Sequence, residues 1–260
     1  MAEVLATSFE GLDLVEGIAH VWARGPGGEE FALRPDAGYL SPGVGRLAVA
    51  VAATRAAAQG GLDLGERITL PRGRDLGDRG VLGTLGAGLR PTWRDMVVLM
   101  LTLEDAEATA RLVDRLGDAA MADAARALGL DERALAAFPE GPPCVTARQA
   151  GAAALALVDA LGPAGEALVR PLLHGVRYRW RVRTRLAEDW EVATQGSRGV
   201  GTVEDVVLWR TAAGPAAAAV ALTEVDDPWR AEYAMGASFR DLVEAVGAPA
   251  PASSDGEGGR

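Results

Sequence analysis

Side chains equipped for nucleophilic or acid–base work are few in this chain and far apart. Its one cysteine is Cys144, its two histidines are His20 and His174, and every one of its 26 basic residues is arginine; lysine and asparagine are absent. A thiol becomes a nucleophile in an electropositive setting, and nothing beside Cys144 marks a basic partner, so it is expected to be a small buried hydrophobe. The histidines make no metal-ligand spacing. Each is expected at the surface or as a satisfied core residue, and no metal and no cofactor is expected. Phosphate-loop and dinucleotide motifs are missing too. Ser41, next to Pro42, is a candidate nucleophile, a candidate helix cap or a plain loop serine. Ser197 offers a hydroxyl suited to binding rather than attack.

A second kind of chemistry is carried by the run HGVRYRWRVRTRL (174–186). It sets Arg177, Arg179, Arg181, Arg183 and Arg185 on alternate positions around Tyr178 and Trp180. As a strand it would form a cationic ribbon able to hold an anion or a nucleic acid. The chain carries 36 acidic residues and a net charge of −10. Phosphate affinity comes from basic contacts, so no nucleic-acid partner is expected and the run reads as a solvated, partly salt-bridged surface.

The elements that must position these groups follow from periodicity and punctuation. Residues 17–24 and 30–34 read as two strands around the Gly25-Pro26-Gly27-Gly28 turn. Pro35 to Gly45 reads as a turn region, followed by an Ala/Val-rich helix from about Val44 to Gln59 that Gly60-Gly61 ends. Residues 62–90 read as mostly loop. Thr92 and Asp95 make a near capping box for a helix with Met96, Val97, Met100, Leu101 and Leu103 at helical spacing. Helices continue over 106–116, 119–128 and 146–161, the last with Thr146 as its cap. Three strands are predicted at 191–195, 203–211 and 216–225, then a helix from Asp227-Pro228 to about Val246. Strands from both ends of the chain around a helical block give an α+β domain over 1–247, with 248–260 a disordered tail by composition.

A single cysteine excludes an internal disulfide. Met1 to Ser8 has no basic n-region followed by an apolar run, and no stretch reaches the roughly 18 uninterrupted apolar residues of a membrane helix. The chain is therefore expected to be cytoplasmic, with no membrane partner. Neither a ligand, a protein partner nor an oligomeric state can be named from its residues.

Four segments carry a family resemblance. They are GVGRLAV (43–49) with Leu62-Asp63-Leu64 after its helix, RPTWRDMVVLMLTLEDAEATARLVDRLG (90–117), CVTARQAG (144–151) and RTRLAEDWEVATQGSRGVGTVEDVVLW (183–209). From residue 17 to about 247 the chain resembles the serine β-lactamases and penicillin-binding proteins, class A β-lactamases above all. The resemblance implies a five-stranded antiparallel sheet flanked by helices, with a helical subdomain, and serine hydrolase activity resting on Ser-x-x-Lys, Ser-Asp-Asn and Lys-Thr-Gly motifs. Here the first reads Gly43 to Arg46, the second Glu104-Asp105-Ala106 and the third Thr194-Gln195-Gly196, followed by Ser197. The loop that carries the deacylating glutamate in that family is shortened between about Leu128 and Pro143, where Glu140 lies unmarked.

Against that template the departures fall on the reacting groups. Gly43 has no nucleophile, and Arg46 stays protonated and cannot serve as a base. Asp105, Ala108 and Gly196 are retained where shape and packing are at stake. Lysine and serine positions that face each other in the family have become Arg46 and Glu104. An ion pair between them is expected to fill the former centre, with Gly43 leaving room for the guanidinium. The resulting expectation is a non-catalytic family member that binds a small molecule or protein partner or acts as a scaffold. The alternative is a serine hydrolase or acyltransferase acting on an amide or ester through a relocated nucleophile such as Ser41.

Overall fold

The computed structural model describes residues 12, 15–70, 80–85, 88–135, 138, 141–174 and 191–247. The poly-arginine run from Arg177, Glu140, the residues before Leu12 and the tail 248–260 lie outside them. Strands β1 (Ile18–Arg24), β2 (Glu30–Leu33), β5 (Val192–Gly199), β6 (Thr202–Thr211) and β7 (Gly214–Thr223) form one antiparallel sheet in the order β2-β1-β7-β6-β5. Two short strands, β3 (Gly38–Leu40) and β4 (Cys144–Thr146), pair separately. The sheet is therefore built from both ends of the chain, as predicted. The β3–β4 ribbon is an addition, in a segment that reads as turn. Its three-residue strands are too short to show alternation and are defined only by pairing with residues about 106 positions away.

Strand alternation divides the core in two. Val203, Val207, Trp209, Ala218, Val220 and Leu222 pack with Phe239, Leu242 and Val243 of the last helix, α5 (Pro228–Val246). Val206, Ala217, Ala219 and Ala221 face the other way, against α1 (Pro42–Ala58) and α4 (Ala147–His174). Alanines on β7 let these helices lie close to the sheet. Helix α1 is buried along most of its length, from Gly43 to Thr54. A helix apolar all round belongs in an interior, and α1 runs between the sheet and the helices α2 (Trp93–Leu103) and α3 (Ala106–Ala127).

The helix ends obey their punctuation. Thr92 and Asp95 form the full reciprocal capping box, Thr146 and Gln149 exchange the same pair of bonds, and Asp227 caps α5 ahead of Pro228. Two segments differ from expectation in extent. The helices expected at 106–116 and 119–128 meet in one element broken at Gly117, whose φ is 77°. The helix expected to end at Leu161 continues to His174 beyond a break at Gly162 (φ 65°), with Pro163 restarting it. Helix α4 is long and apolar enough to cross a membrane by length and composition, and here it packs on α1 and on β1, β5, β6 and β7.

Candidate functional site

The first turn of α1 sets the site. An α-helix begins with four N–H groups that have no partner inside it. Pro42 removes one, the Ser41 N–H donates to the Pro143 carbonyl at 2.8 Å and the Val44 N–H to Ser41 Oγ at 3.3 Å. The remaining one, on Gly43, donates to Glu204 Oε1 at 2.7 Å. Ser41 is thus the N-cap of α1 and fully buried. Arg46 follows Gly43 by three residues and so shares its helix face.

Glu204 comes from the sheet. In the register it stands opposite Ser197 on β5 and opposite Ala221 on β7, which in turn stands opposite His20 on β1. These four form one row on the face turned toward α1 and α4. The Ser197 hydroxyl donates to Glu204 Oε1 at 2.6 Å. A Cβ on residue 43 would lie 2.8 Å from that same oxygen. The expectation that the glycine leaves room for the Arg46 guanidinium is therefore corrected: the space over Gly43 is filled by the Glu204 carboxylate, which reaches it from the neighbouring sheet.

Arg46 turns instead toward β5 and the α2–α3 corner. Its Nη2 donates to the Gly196 carbonyl at 2.6 Å and lies 3.4 Å from Glu104 Oε2, with the two side chains 7% and 15% exposed. The expected Arg46–Glu104 pair forms. Glu104 is held in a left-handed backbone conformation (φ 56°, ψ 31°) as the C-cap just after α2, a conformation costing a non-glycine residue about 1 kcal/mol or more. Asp105 then caps α3 through Ala108 N–H at 2.8 Å and accepts the Leu82 N–H at 2.9 Å. This buried aspartate fixes the corner that presents Glu104. Ala108 is buried beneath it, whereas Ala106 is exposed.

On β5 the third motif divides. Gly196 contributes its carbonyl and Ser197 its hydroxyl, and Gln195 Nε2 donates to the Gly196 carbonyl at 3.3 Å. Thr194 stands opposite Val207, a residue of the α5-facing core. A cavity beside Thr194 and Gln195 measures about 10 Å³, room for one water at most.

The electrostatics follow from burial. Desolvation raises the Glu204 carboxyl above its ordinary value, opposed by hydrogen bonds from Ser197, Ser41 and the Gly43 N–H and by the charge of Arg46. The buried Tyr39 phenol is pushed well above its usual range by desolvation and then by the Glu204 charge. Burial lowers His20, whose Nε2 is 3.1 Å from Thr223 Oγ1 and whose ring centroid is 5.6 Å from that of Tyr39. His20 is a buried core histidine bonded through Nε2, while its Nδ1 has no hydrogen-bond partner among the described residues, so it is only half satisfied. His174 lies at the end of α4, with Nε2 3.5 Å from Arg170 Nε. Cys144 is exposed, contrary to expectation. It pairs with the exposed Leu40, and alternation puts Val145 inside. Among the described residues no group of three His, Cys, Asp or Glu side chains is placed to hold a metal.

Glu204 is the residue that sequence reasoning missed. Its signal was parity: on β6 it shares the face of Val206 and Leu208, so a carboxylate occupies a core position.

A family model described as the β-lactamase enzyme family matches residues 17–246. Among solved structures, a β-lactamase from Sphaerobacter thermophilus superposes with a TM-score of 0.81 at 25% identity, covering 96% of this chain and 100% of its own. An ancestral class A β-lactamase (GNCA) gives 0.80 at 25% identity, with 93% of this chain and 99% of that one covered. A search among curated proteins finds no match. The fold, the sheet topology and this match together place the chain: it belongs to the β-lactamase enzyme family.

Proposed function

We propose that this chain is a non-catalytic member of its family, kept as a scaffold or for binding a small molecule or protein partner. The observation that carries the reading is the Gly43 N–H bonded to the buried Glu204 carboxylate. In acyl transfer by serine enzymes the nucleophile's own backbone N–H helps to hold the oxyanion. Here the position that aligns with the nucleophile is glycine, its N–H is taken, and the aligned base position is an arginine, which cannot accept a proton. Arg46 and Glu104 neutralise each other beside it. Loss of the nucleophile alone costs about 10⁶ in turnover in a serine protease. Incubation with a fluorescent penicillin and with a fluorophosphonate, at high protein concentration, should leave the protein unlabelled. Covalent labelling that disappears on Ser41→Ala would overturn this.

A second reading rests on one contact. The Ser197 hydroxyl 2.6 Å from a carboxylate is nucleophile-to-base geometry, and a hydrolase or acyltransferase of amides or esters would use it or Ser41 with Glu204 as base. All three groups are buried, so substrate would have to open the site first. Labelling lost on Ser197→Ala would select this reading.

A further inference from the structure

We propose that the donors around Glu204 form a carboxylate cradle, that Glu204 occupies it as a tethered ligand, and that removing this side chain makes a binding site for a small free carboxylate. The proposal deepens the non-catalytic reading, on which it rests for treating the space over Gly43 as filled by the protein itself.

Two donors converge on one oxygen, Glu204 Oε1: the Gly43 N–H at 2.7 Å and the Ser197 hydroxyl at 2.6 Å. The Gly43 N–H lies in the first turn of a 17-residue helix, where the helix field favours an anion. Arg46 adds a full positive charge one turn along, fixed by the Gly196 carbonyl at 2.6 Å and by Glu104. Ser41 and Tyr39 complete the surround, and all of these polar groups are buried. A Cβ at residue 43 would stand 2.8 Å from the carboxylate oxygen and 3.1 Å from the Gln195 carbonyl, so the cradle has its shape only because that residue is glycine. Charge-assisted bonds of this kind are the stronger hydrogen bonds, and here they are spent on a side chain of the protein.

The size of the vacated space fixes the test. Glu204→Ala deletes a CH2–COO⁻ unit, the volume of acetate. Glu204→Gly deletes CH2–CH2–COO⁻, the volume of propionate. Thermal midpoints of wild type and both variants are measured in sodium acetate or propionate against sodium chloride of equal ionic strength, since a ligand that binds only the folded state raises the midpoint by mass action. Acetate should raise the midpoint of Glu204→Ala by several degrees, propionate that of Glu204→Gly, and neither should move wild type. Gly43→Ser in the Glu204→Ala background should abolish the acetate response. A variant recovered folded only in carboxylate also supports the cradle. Folded variants indifferent to carboxylate, an equal response in wild type, or variants that stay unfolded in carboxylate while Glu204→Gln folds would each overturn it. Penicillin labelling would contradict the non-catalytic reading and leave the cradle standing, so the two fail separately.

Discussion

A side chain at position 43 would meet Glu204 Oε1 at 2.8 Å and the Gln195 carbonyl at 3.1 Å, so the glycine of α1 and the glutamate of β6 are matched to each other. Overpacking a filled core costs about 1–3 kcal/mol. Gly43→Ser should therefore lower stability by roughly that amount, and the same change in a Glu204→Ala background should cost clearly less; urea unfolding of the four proteins of the double-mutant cycle reads the coupling. Glu204 also sets a pH dependence. Its native carboxyl is raised by burial, so between the ordinary value of about 4.3 and the raised one the native state holds more protons than the unfolded chain, and stability falls as pH rises. His20, lowered by burial, acts oppositely, losing stability as pH falls below about 6.5. In Glu204→Gln the amide oxygen still accepts from Gly43 and Ser197 but carries no titrating proton. The stability difference between Glu204→Gln and wild type should thus grow in favour of the variant as pH rises above the ordinary carboxyl value of about 4.3, read from urea midpoints. Arg46 is the third member of the group. Arg46→Ala leaves Glu104 without that partner and removes the charge beside Glu204, and removing one half of a buried pair costs about 3 kcal/mol or more. Replacing both, with Arg46→Met and Glu104→Leu, should recover much of that loss in the same unfolding assay.

At the scale of elements, local chemistry was the legible part. Thr92 with Asp95, Ser41 ahead of Pro42, and Asp227 ahead of Pro228 cap helices in the structure as their residue types dictate. Thr92→Ala breaks the reciprocal box and should cost about 1 kcal/mol, measured by thermal unfolding. The long strands followed from alternation and turn residues. Elements defined by distant pairing were not legible: β3 and β4 are each three residues long and exist through each other. Nor was the continuation of α4 past Gly162, because a glycine followed by proline reads as a stop while packing against α1 and the sheet carries the helix on. The candidate site was half legible for the same reason. Arg46 and Glu104 carry opposite charges at positions the family brings together, so their contact followed from the resemblance. Glu204 reaches Gly43 across 161 residues, and nothing near it in sequence points to a helix N-terminus packed on its face of the sheet.

For the whole molecule, a sheet assembled from the first and last strands holds α1 and α4 on one face and α5 on the other. Arg198 ties the end of β5 to α5, paired with Glu232 at 2.7 Å and stacked 4.2 Å over the ring of Trp229, while Trp209 donates to the Gly247 carbonyl at 2.8 Å. This framework presents the start of α1, the α2–α3 corner and β5 to one another, as a family of acyl-transfer enzymes requires, and it does so here around Gly43, Arg46, Glu104 and Glu204. The architecture is shared with class A β-lactamases, and the centre it surrounds is filled by side chains of the protein. Intact-protein mass spectrometry after prolonged incubation with excess benzylpenicillin tests that claim most directly. Only the unmodified mass is expected, in wild type and in Ser41→Ala and Ser197→Ala alike. A penicilloyl adduct on wild type that is lost in either serine variant would contradict it.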